Sequence, residues 1–347
     1  MENTKRPLIL MVAAGDSGHR RPCERALLNL GYDVELFNYR TGLYFKNKLV
    51  RKIYRTIPGA KNLLKKRITH EFLKKVREIK PDYIFSLSAE LILPEAVEKV
   101  KAMGIVTINW FLEYMWKWDA NVKFASVYDL FFSSDPYVLR KLKEEYGFNN
   151  GFCLPQAFDL KEGAGDPFED RREEYNLAVV ASYSSTIYSH RTSMLEAIKD
   201  LGLNIWGPEG WLKSPLKDCY RGKANGDEVL EIYRKTKIVT NTHYKREPAE
   251  AITLRPFEAM GSGAMLVSDD VRSSIFDLFK DGEEFVSFHD GDPARLREIV
   301  QYYLAHPEER LRIAKRGYEK VATSHSYQVR MREMIDIVKD FETKRAL

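Results

Sequence analysis

Cysteine is scarce in this sequence, and its three cysteines stand far apart. Cys23, Cys153 and Cys219 are odd in number and lack the close spacing of a zinc site. Both features argue against the disulfide framework of a small secreted domain. They fit the reducing cytoplasm, which is where we expect this chain to act.

Long hydrophobic runs are absent as well. No stretch approaches the roughly eighteen unbroken apolar residues that a membrane-spanning helix needs. The first apolar run, residues 8–14, is short and leads into a glycine-containing turn rather than a cleavage site. We therefore expect neither a membrane span nor a signal peptide.

The sequence also lacks a strong net charge. It holds 55 Lys and Arg against 50 Asp and Glu, a net charge of +5, and 44% of its residues are hydrophobic. A disordered chain combines low hydrophobicity with high net charge, so this composition indicates a globular protein. The length of 347 residues favours two domains.

Strand and helix patterns alternate along the chain. Residues 8–14 are continuously apolar, as in a parallel strand that is covered on both faces. A segment rich in glycine, proline and charge, residues 161–174, interrupts the alternation, which then restarts. The sequence therefore predicts an α/β fold with two doubly wound domains and a last helix that packs back on the first domain. We predict these boundaries: 1–160 for the N-terminal domain, 161–175 for a linker, 176–325 for the C-terminal domain and 326–347 for the last helix.

Residues 250–267 form the most specific segment, in which seven residues separate Glu250 from Glu258 and Arg255 lies between them. This segment resembles the E-x7-E region of GT-B glycosyltransferases, with the small-residue helix and buried strand that follow it. Leu154-Pro155-Gln156-Ala157 and the arginine-bearing loop within residues 178–191 resemble one branch, the spore-maturation CgeB-like glycosyltransferases. The resemblance spans most of the chain and is strongest from about residue 176 to 330.

The resemblance implies a GT-B fold, in which two Rossmann-like domains face each other across a cleft. It implies a hexosyltransferase that moves a sugar from a nucleotide-sugar donor, with UDP-sugars favoured, to a hydroxyl of a glycan, a lipid-linked or another cell-surface precursor. Retention of the anomeric configuration is favoured. By resemblance, Glu258 binds the ribose and Glu250 the donor's sugar or diphosphate. Thr253 replaces part of the family's glycine-containing stretch and belongs to the same donor site.

The chemistry of these residue types supports the same assignment. A carboxylate beside a crevice can accept two charge-assisted hydrogen bonds from the vicinal hydroxyls of a ribose. A helix N-terminus next to it supplies free N–H groups and a positive dipole end for phosphate. The alternative is that Glu250 and Glu258 are solvated acids at the end of a helix.

Basic residues are expected to hold the departing diphosphate. We find no D-x-D motif of the metal-dependent sort, and we expect neither a metal nor a cofactor, so arginine or lysine must stabilise the growing charge. Arg191 and Arg255 are the candidates, followed by Lys245, and each has a surface salt bridge as its alternative. His243 follows a predicted strand and contacts base or phosphate, or else packs in the core.

The acceptor side is predicted at the turn after the first strand, residues 15–19. Open α/β sheets bind ligands at the carboxyl ends of their strands. Asp16 or His19 would act there as a general base in an inverting enzyme, and Glu90 and Glu113 follow later strands in the same way. The alternative is an ordinary strand-to-helix turn.

Residues 44–67 are rich in Lys and Arg, contain no acid, and carry interleaved apolar residues. Such a basic amphipathic stretch can lie on an anionic membrane or bind a phosphate-rich acceptor. We expect peripheral contact with the inner face of a membrane, with a solvated helix face as the alternative. No base-reading module accompanies the stretch, so no nucleic acid is expected.

Two rival functions fit the same fold. A GT-B epimerase or phosphorylase needs no separate sugar acceptor, and an epimerase would turn over the nucleotide sugar alone. We find no lysine motif for the pyridoxal cofactor of a phosphorylase. A non-catalytic nucleotide-sugar binding protein would bind the donor without turnover.

Overall fold

A computed structural model of the chain describes residues 6–15, 18–40, 47, 52, 56–57, 59–112, 117–161, 163, 165–169, 171–244 and 248–347. The chain divides into two compact units. Unit 1 comprises Met1–Pro155 and Arg330–Leu347, and unit 2 comprises Gln156–Val329. Each described unit is built around one parallel β-sheet of six strands.

The sheet of unit 1 has the strand order β2-β1-β3-β4-β5-β6. Its central strands β3 and β4 are buried throughout, and β1 buries every residue after its first, as strands covered on both faces require. The order reverses direction between β1 and β3. The strands are β1 (Leu8–Ala13), β2 (Asp33–Asn38), β3 (Tyr83–Leu87), β4 (Val106–Phe111), β5 (Leu130–Ser133) and β6 (Gly151–Cys153).

Helices connect the strands of unit 1 and bury one face each. The helix after β5 shows the local signals best: the Asp135 side chain accepts a hydrogen bond from Tyr137 N, Pro136 occupies the first turn, and Gly147 ends the helix with a φ of 68°. The helices are α1 (Arg20–Asn29), α2 (Ala60–Ile79), α3 (Pro94–Lys101), α4 (Trp118–Val127) and α5 (Pro136–Tyr146).

The sheet of unit 2 has the order β12-β11-β10-β7-β8-β9, and its direction reverses between β7 and β10. Alternate residues of its strands enter two apolar cores, one on each face: Leu177 and Val179 join one core, Ala178 and Val180 the other. The strands are β7 (Tyr175–Val180), β8 (Leu203–Trp206), β9 (Tyr220–Gly222), β10 (Thr236–Asn241), β11 (Met265–Asp269) and β12 (Val286–Phe288).

The helices of unit 2 cover both faces of this sheet. Short 3-10 turns add to them at Lys199–Leu201, Glu209–Lys213 and Lys217–Cys219. The helices are α6 (Ser189–Glu196), α7 (Asp227–Arg234), α8 (Leu254–Gly261), α9 (Ser274–Leu278), α10 (Pro293–Ala305) and α11 (Pro307–Ser324).

The last helix, α12 (Tyr327–Ala346), packs on unit 1 as the sequence predicts. The Tyr83 hydroxyl at the start of β3 donates a hydrogen bond to the Glu342 carboxylate at 3.0 Å. An apolar stripe of α12 is buried, comprising Met331, Met334, Ile335 and Val338. None of the helices in the described part of the chain is both long and apolar enough to cross a membrane.

Candidate functional site

The reversal of strand order in unit 2 places two loops side by side. Residues 181–184 leave the carboxyl end of β7, and residues 242–244 leave that of β10, its neighbour in the sheet. Because helices on opposite faces start from such a pair of strands, a crevice opens there, and open α/β sheets bind their ligands in it. We call this position the unit 2 switch point.

Arg191 of α6 bridges the two loops. Its Nη1 donates to the carbonyl of Ser182 at 2.8 Å, while Nε and Nη2 donate to the hydroxyl and carbonyl of Thr242 at 2.7 and 2.9 Å. The residue is only 7% exposed, and its guanidinium lies over the Tyr188 ring. Burial lowers the pKa of Arg191 to about 10, so the side chain remains a cation at neutral pH. Arg191, which the sequence predicts to bind the diphosphate, thus holds the two loops of the unit 2 switch point together.

His243 is fixed in the second loop by a buried carboxylate. Asp269, the last residue of β11, accepts from the His243 backbone N–H at 2.5 Å and lies 2.7 Å from its ring Nδ1. Both side chains are almost completely buried. The His190 ring reaches the His243 carbonyl at 2.8 Å. These bonds set the conformation of residues 242–244, and the His243 ring lies below the surface.

Arg272 is a further buried arginine, which the sequence analysis did not single out. It donates to the carbonyls of Tyr244 and Ala249, each at 2.5 Å, and so links these two residues of the segment before α8. The available signal was a basic residue three positions after a buried strand. Lys245, another predicted diphosphate ligand, lies inside that segment but outside the described residues.

Glu258 and Arg255 form an ion pair on α8. Their side chains are 13% and 34% exposed. Burial raises the pKa of Glu258, although the Arg255 charge opposes the shift. For Arg255 burial is the largest effect and lowers the pKa, but the charge of Glu258, the Tyr233 phenol and the hydrogen bond to Glu258 together raise the pKa overall. The raised pKa of Glu258 shows that its buried charge is incompletely compensated by Arg255.

The phenol of Tyr233 connects this pair with the switch point. Tyr233 is 1% exposed, lies close to the backbone of Val180 at the end of β7, and interacts electrostatically with both Arg255 and Glu258. Glu258 occupies the fifth position of α8, one turn after the start of the helix. The structure therefore brings Arg255 and Glu258 to the same edge of the sheet as Arg191.

The N-terminus of α8 lies beside them, and within the described residues it has neither a side-chain cap nor an acidic residue in its first turn. Thr253 occupies the N-cap position without a side-chain hydrogen bond to the helix, and the first turn contains no acidic residue. Glu250 lies in the preceding segment, where its carbonyl accepts from Ser274 N at 3.1 Å. Free N–H groups and the helix dipole favour an anion at such a terminus.

The structure describes only one of the three residues of unit 1 that were predicted to be catalytic. Asp16 and Glu113 lie outside the described residues. His19 directly precedes α1, and burial lowers its pKa to about 4, so the imidazole is neutral at physiological pH. A pKa that low makes His19 a weak general base, since an efficient base titrates near the working pH.

The switch point of unit 1 shows backbone strain at the end of β3. Ser88 and Ala89 are not glycines, yet they have φ angles of 59° and 39°. Ser88 N donates to the Trp110 carbonyl at 3.1 Å, and Glu90, the next residue after the strained pair, forms an ion pair with Lys117. Residues held in sparsely populated conformations cluster at functional sites. Among the described residues, no group of His, Cys, Asp and Glu side chains is arranged to hold a metal ion.

The basic stretch predicted over residues 44–67 is described in part. Residues 44–46, 48–51, 53–55 and 58 lie outside the described part of the chain. The described remainder includes the first turns of α2, where exposed basic residues flank Leu63, which is 68% exposed. Leu64 packs against the core of unit 1.

Comparison with known proteins places these features in context. Residues 191–336 match the model of the family described as glycosyl transferase-like. This match contains Arg191, His243, Arg255 and Glu258 and covers most of unit 2. No curated protein matches the chain significantly.

Solved structures resemble the whole chain at low sequence identity. Sucrose-phosphate synthase from Thermosynechococcus elongatus is 13% identical with a TM-score of 0.68, covering 98% of this chain and 100% of its own. Anabaena HepE in complex with UDP-glucose is 11% identical with a TM-score of 0.64, covering 96% and 99%. A putative UDP-N-acetylglucosamine 2-epimerase from Listeria monocytogenes is 11% identical with a TM-score of 0.63, covering 98% of each chain. The likeness shows that the fold is the predicted two-domain α/β fold of the GT-B type.

Proposed function

We propose that the chain is a glycosyltransferase whose nucleotide-sugar donor binds at the unit 2 switch point. The observation that carries this proposal is the Arg255–Glu258 pair beside the uncapped N-terminus of α8. It lies in the segment that matches the glycosyl transferase-like model. The CgeB-like branch of GT-B enzymes is the finer assignment that Arg255, the segment 154–157 and the arginine-bearing loop within residues 178–191 favour.

Glu258 is suited to bind the ribose of the donor. Its carboxylate is largely buried, and its raised pKa reflects burial that Arg255 does not fully compensate. Two ribose hydroxyls would donate hydrogen bonds to the charged form and supply the missing compensation. Ligand binding would then offset the free-energy cost of the buried Glu258 charge in the ligand-free protein.

The diphosphate of the donor would lie at the N-terminus of α8. The uncapped N–H groups of the first turn and the Arg255 guanidinium both favour negative charge there. Such groups stabilise the leaving diphosphate as the glycosidic bond breaks, and in this proposal they do so without a metal or another cofactor. Arg191, whose donors already engage the two loops, would act by fixing the crevice, and Glu250, Thr253, His243 and Lys245 remain predicted members of the same site.

UDP-sugars are the favoured donors, and retention of configuration the favoured outcome. The complex of Anabaena HepE with UDP-glucose supports the donor class by analogy of fold. The acceptor would bind in unit 1 and present a hydroxyl of a glycan or a lipid-linked cell-envelope precursor. A cytoplasmic enzyme that contacts the inner face of a membrane through residues 44–67 fits this proposal.

A nucleotide-sugar epimerase is the second candidate, because the putative epimerase from Listeria monocytogenes shares the fold. An epimerase would convert a nucleotide sugar with no acceptor present, whereas a transferase would at most hydrolyse it slowly. A binding protein would do neither.

A thermal-shift panel tests the donor site directly. The melting temperature is measured with UDP, GDP, dTDP, ADP and CMP and with their common sugars, without added metal. A ligand that binds only the native state raises stability by mass action, by about 2.7 kcal/mol at a hundred times its Kd. We expect one nucleotide to raise the melting temperature, and silence across the panel, repeated by calorimetry, would contradict the proposal.

A further inference from the structure

Glu258 places a negative charge next to the position proposed for the diphosphate. Arg255 is the second residue of α8 and Glu258 the fifth, so the two side chains lie on the same face of the helix, where they form an ion pair. At 1.5 Å per residue, Glu258 lies only about 4.5 Å further along the helix axis than Arg255. An anion that binds Arg255 and the first turn of α8 is therefore close to the Glu258 carboxylate.

The surroundings of Glu258 make this proximity costly for an anion. The Glu258 side chain is 13% exposed, and the neighbouring Tyr233 is 1% exposed, so little water screens the charge. Electrostatic interactions are stronger in such surroundings than in bulk water. Glu258 also accepts a hydrogen bond from the Arg255 guanidinium, which weakens the attraction of that guanidinium for an incoming anion. Both effects oppose the binding of a bare phosphate.

A ribose offsets this opposition, whereas a bare phosphate does not. The vicinal hydroxyls of a ribose would donate two hydrogen bonds to the Glu258 carboxylate, and charge-assisted bonds of this kind are strong. A nucleoside diphosphate thus supplies both an anion for Arg255 and donors for Glu258. Inorganic phosphate or pyrophosphate supplies only the anion. Specific sites commonly combine attraction of the correct ligand with repulsion of a competing one.

We propose that Glu258 is a specificity-determining residue, which excludes inorganic phosphate and pyrophosphate from the donor site and admits diphosphates that carry a ribose. This inference rests on the proposed function, because it takes a nucleotide-sugar as the ligand of the site. The contribution of Glu258 to affinity then has opposite signs for two classes of ligand. It strengthens the binding of nucleoside diphosphates and weakens the binding of pyrophosphate.

The test compares the affinities of pyrophosphate and UDP for the full-length parent and four variants. Glu258→Gln removes the charge and preserves the size of the side chain, and Glu258→Ala is a second variant without the charge. Arg255→Gln/Glu258→Gln removes both members of the pair. Glu298→Gln is the control for net charge, because Glu298 forms an exposed ion pair with Arg295 on α10. Calorimetry at pH 8 without added metal measures each affinity, and melting curves verify that each variant is folded.

We expect Glu258→Gln to bind pyrophosphate at least about fivefold more tightly than the parent, which corresponds to about 1 kcal/mol. Its affinity for UDP should fall at least about tenfold, because the loss of two charge-assisted hydrogen bonds from ribose exceeds the gain at the diphosphate. Glu258→Ala should show the same two changes. The double variant should lose the gain for pyrophosphate, which would assign that gain to Arg255, and Glu298→Gln should bind both ligands like the parent.

Either of two results would overturn the inference: equal pyrophosphate affinities of Glu258→Gln and Glu298→Gln, or no measurable pyrophosphate binding by both Glu258 variants. If the parent still binds UDP in these cases, the donor site stands and only the exclusion of inorganic anions is wrong. The opposite combination separates the two proposals. If the parent binds no nucleotide and Glu258→Gln nevertheless gains affinity for pyrophosphate, Glu258 excludes anions as inferred, and the proposed transferase function is wrong.

Discussion

The guanidinium of Arg191 donates hydrogen bonds to both the hydroxyl and the carbonyl of Thr242, so two bonds fix this one residue at the end of β10. A third bond, to the Ser182 carbonyl, reaches the neighbouring loop after β7. These contacts span the reversal of strand order in unit 2. The buried cation thus stabilises the frame in which a donor would bind.

We expect Arg191→Lys to lower stability by about 2–4 kcal/mol, because one ammonium cannot replace three directed bonds from a planar guanidinium. The melting temperature should fall by several degrees, at roughly 2–4 °C per kcal/mol for a unit of this size. Arg297→Lys is the matched control: Arg297 also donates three hydrogen bonds, to Ala197 and Asp200, but at a more exposed position. If Arg191→Lys and Arg297→Lys have equal melting temperatures, Arg191 does not stabilise the fold in this way, and its role is limited to contact with the ligand.

Glu258→Gln should separate function from stability. The raised pKa of Glu258 means that folding favours its protonated form, so its contribution to stability is present below its unfolded-state pKa, near 4.3 in model peptides, and is lost as pH rises through the folded-state value. The stability of Glu258→Gln relative to the parent should therefore rise between pH 4 and pH 8. Urea unfolding at several pH values measures this difference.

The affinity of Glu258→Gln for nucleotide should fall, in contrast to its relative stability. The amide of Glu258→Gln loses the charge that strengthens two hydrogen bonds to ribose, and we expect at least a tenfold loss of affinity. The control is Glu298→Gln. Glu298 forms an exposed ion pair with Arg295, three residues before it, with the same i,i+3 spacing as Arg255 and Glu258. If both variants bind the nucleotide like the parent, Glu258 is a structural acid.

The sequence predicts the sheets well because their central strands are buried on both faces. The apolar run at residues 8–14 is predicted as a strand, and the structure forms β1 over Leu8–Ala13. The breaks that separate α10, α11 and α12 follow from Pro307 and from the polar residues at 324–325. The strands that sequence analysis missed, β6, β9 and β12, each have three residues, too few to show a period.

The candidate site was harder to predict, because its order arises from contacts between residues distant in sequence. The E-x7-E pattern singles out Glu258 and Arg255, but it does not show that the two side chains form an ion pair with each other. The sequence does not reveal what Arg191 and Arg272 have in common. Only the structure shows that both donate hydrogen bonds to loop carbonyls. The sequence analysis does not single out Asp269, which accepts a hydrogen bond from the His243 backbone N–H and lies within hydrogen-bond distance of its ring.

His19 provides a prediction for unit 1 that does not depend on any ligand. Burial lowers its pKa to about 4, below the unfolded value near 6.5. The neutral imidazole therefore contributes stability above pH 6.5, and that contribution is lost as pH falls towards 4. At pH 5 the loss is about 2 kcal/mol, because a tenfold change in a protonation equilibrium corresponds to about 1.4 kcal/mol.

His19→Gln cannot take up this proton, so its free energy of unfolding should decline less than that of the parent between pH 7 and pH 5. Urea unfolding at the two pH values measures the difference, and His70→Gln, at an exposed position of α2, is the control that should follow the parent. The same argument bears on catalysis: a base with this pKa gives an acid limb near pH 4 in a pH–rate profile. If the parent and His19→Gln show the same pH dependence of stability, the imidazole is solvated and the prediction is wrong. A solvated His19 would have an ordinary pKa, which suits a general base near neutrality.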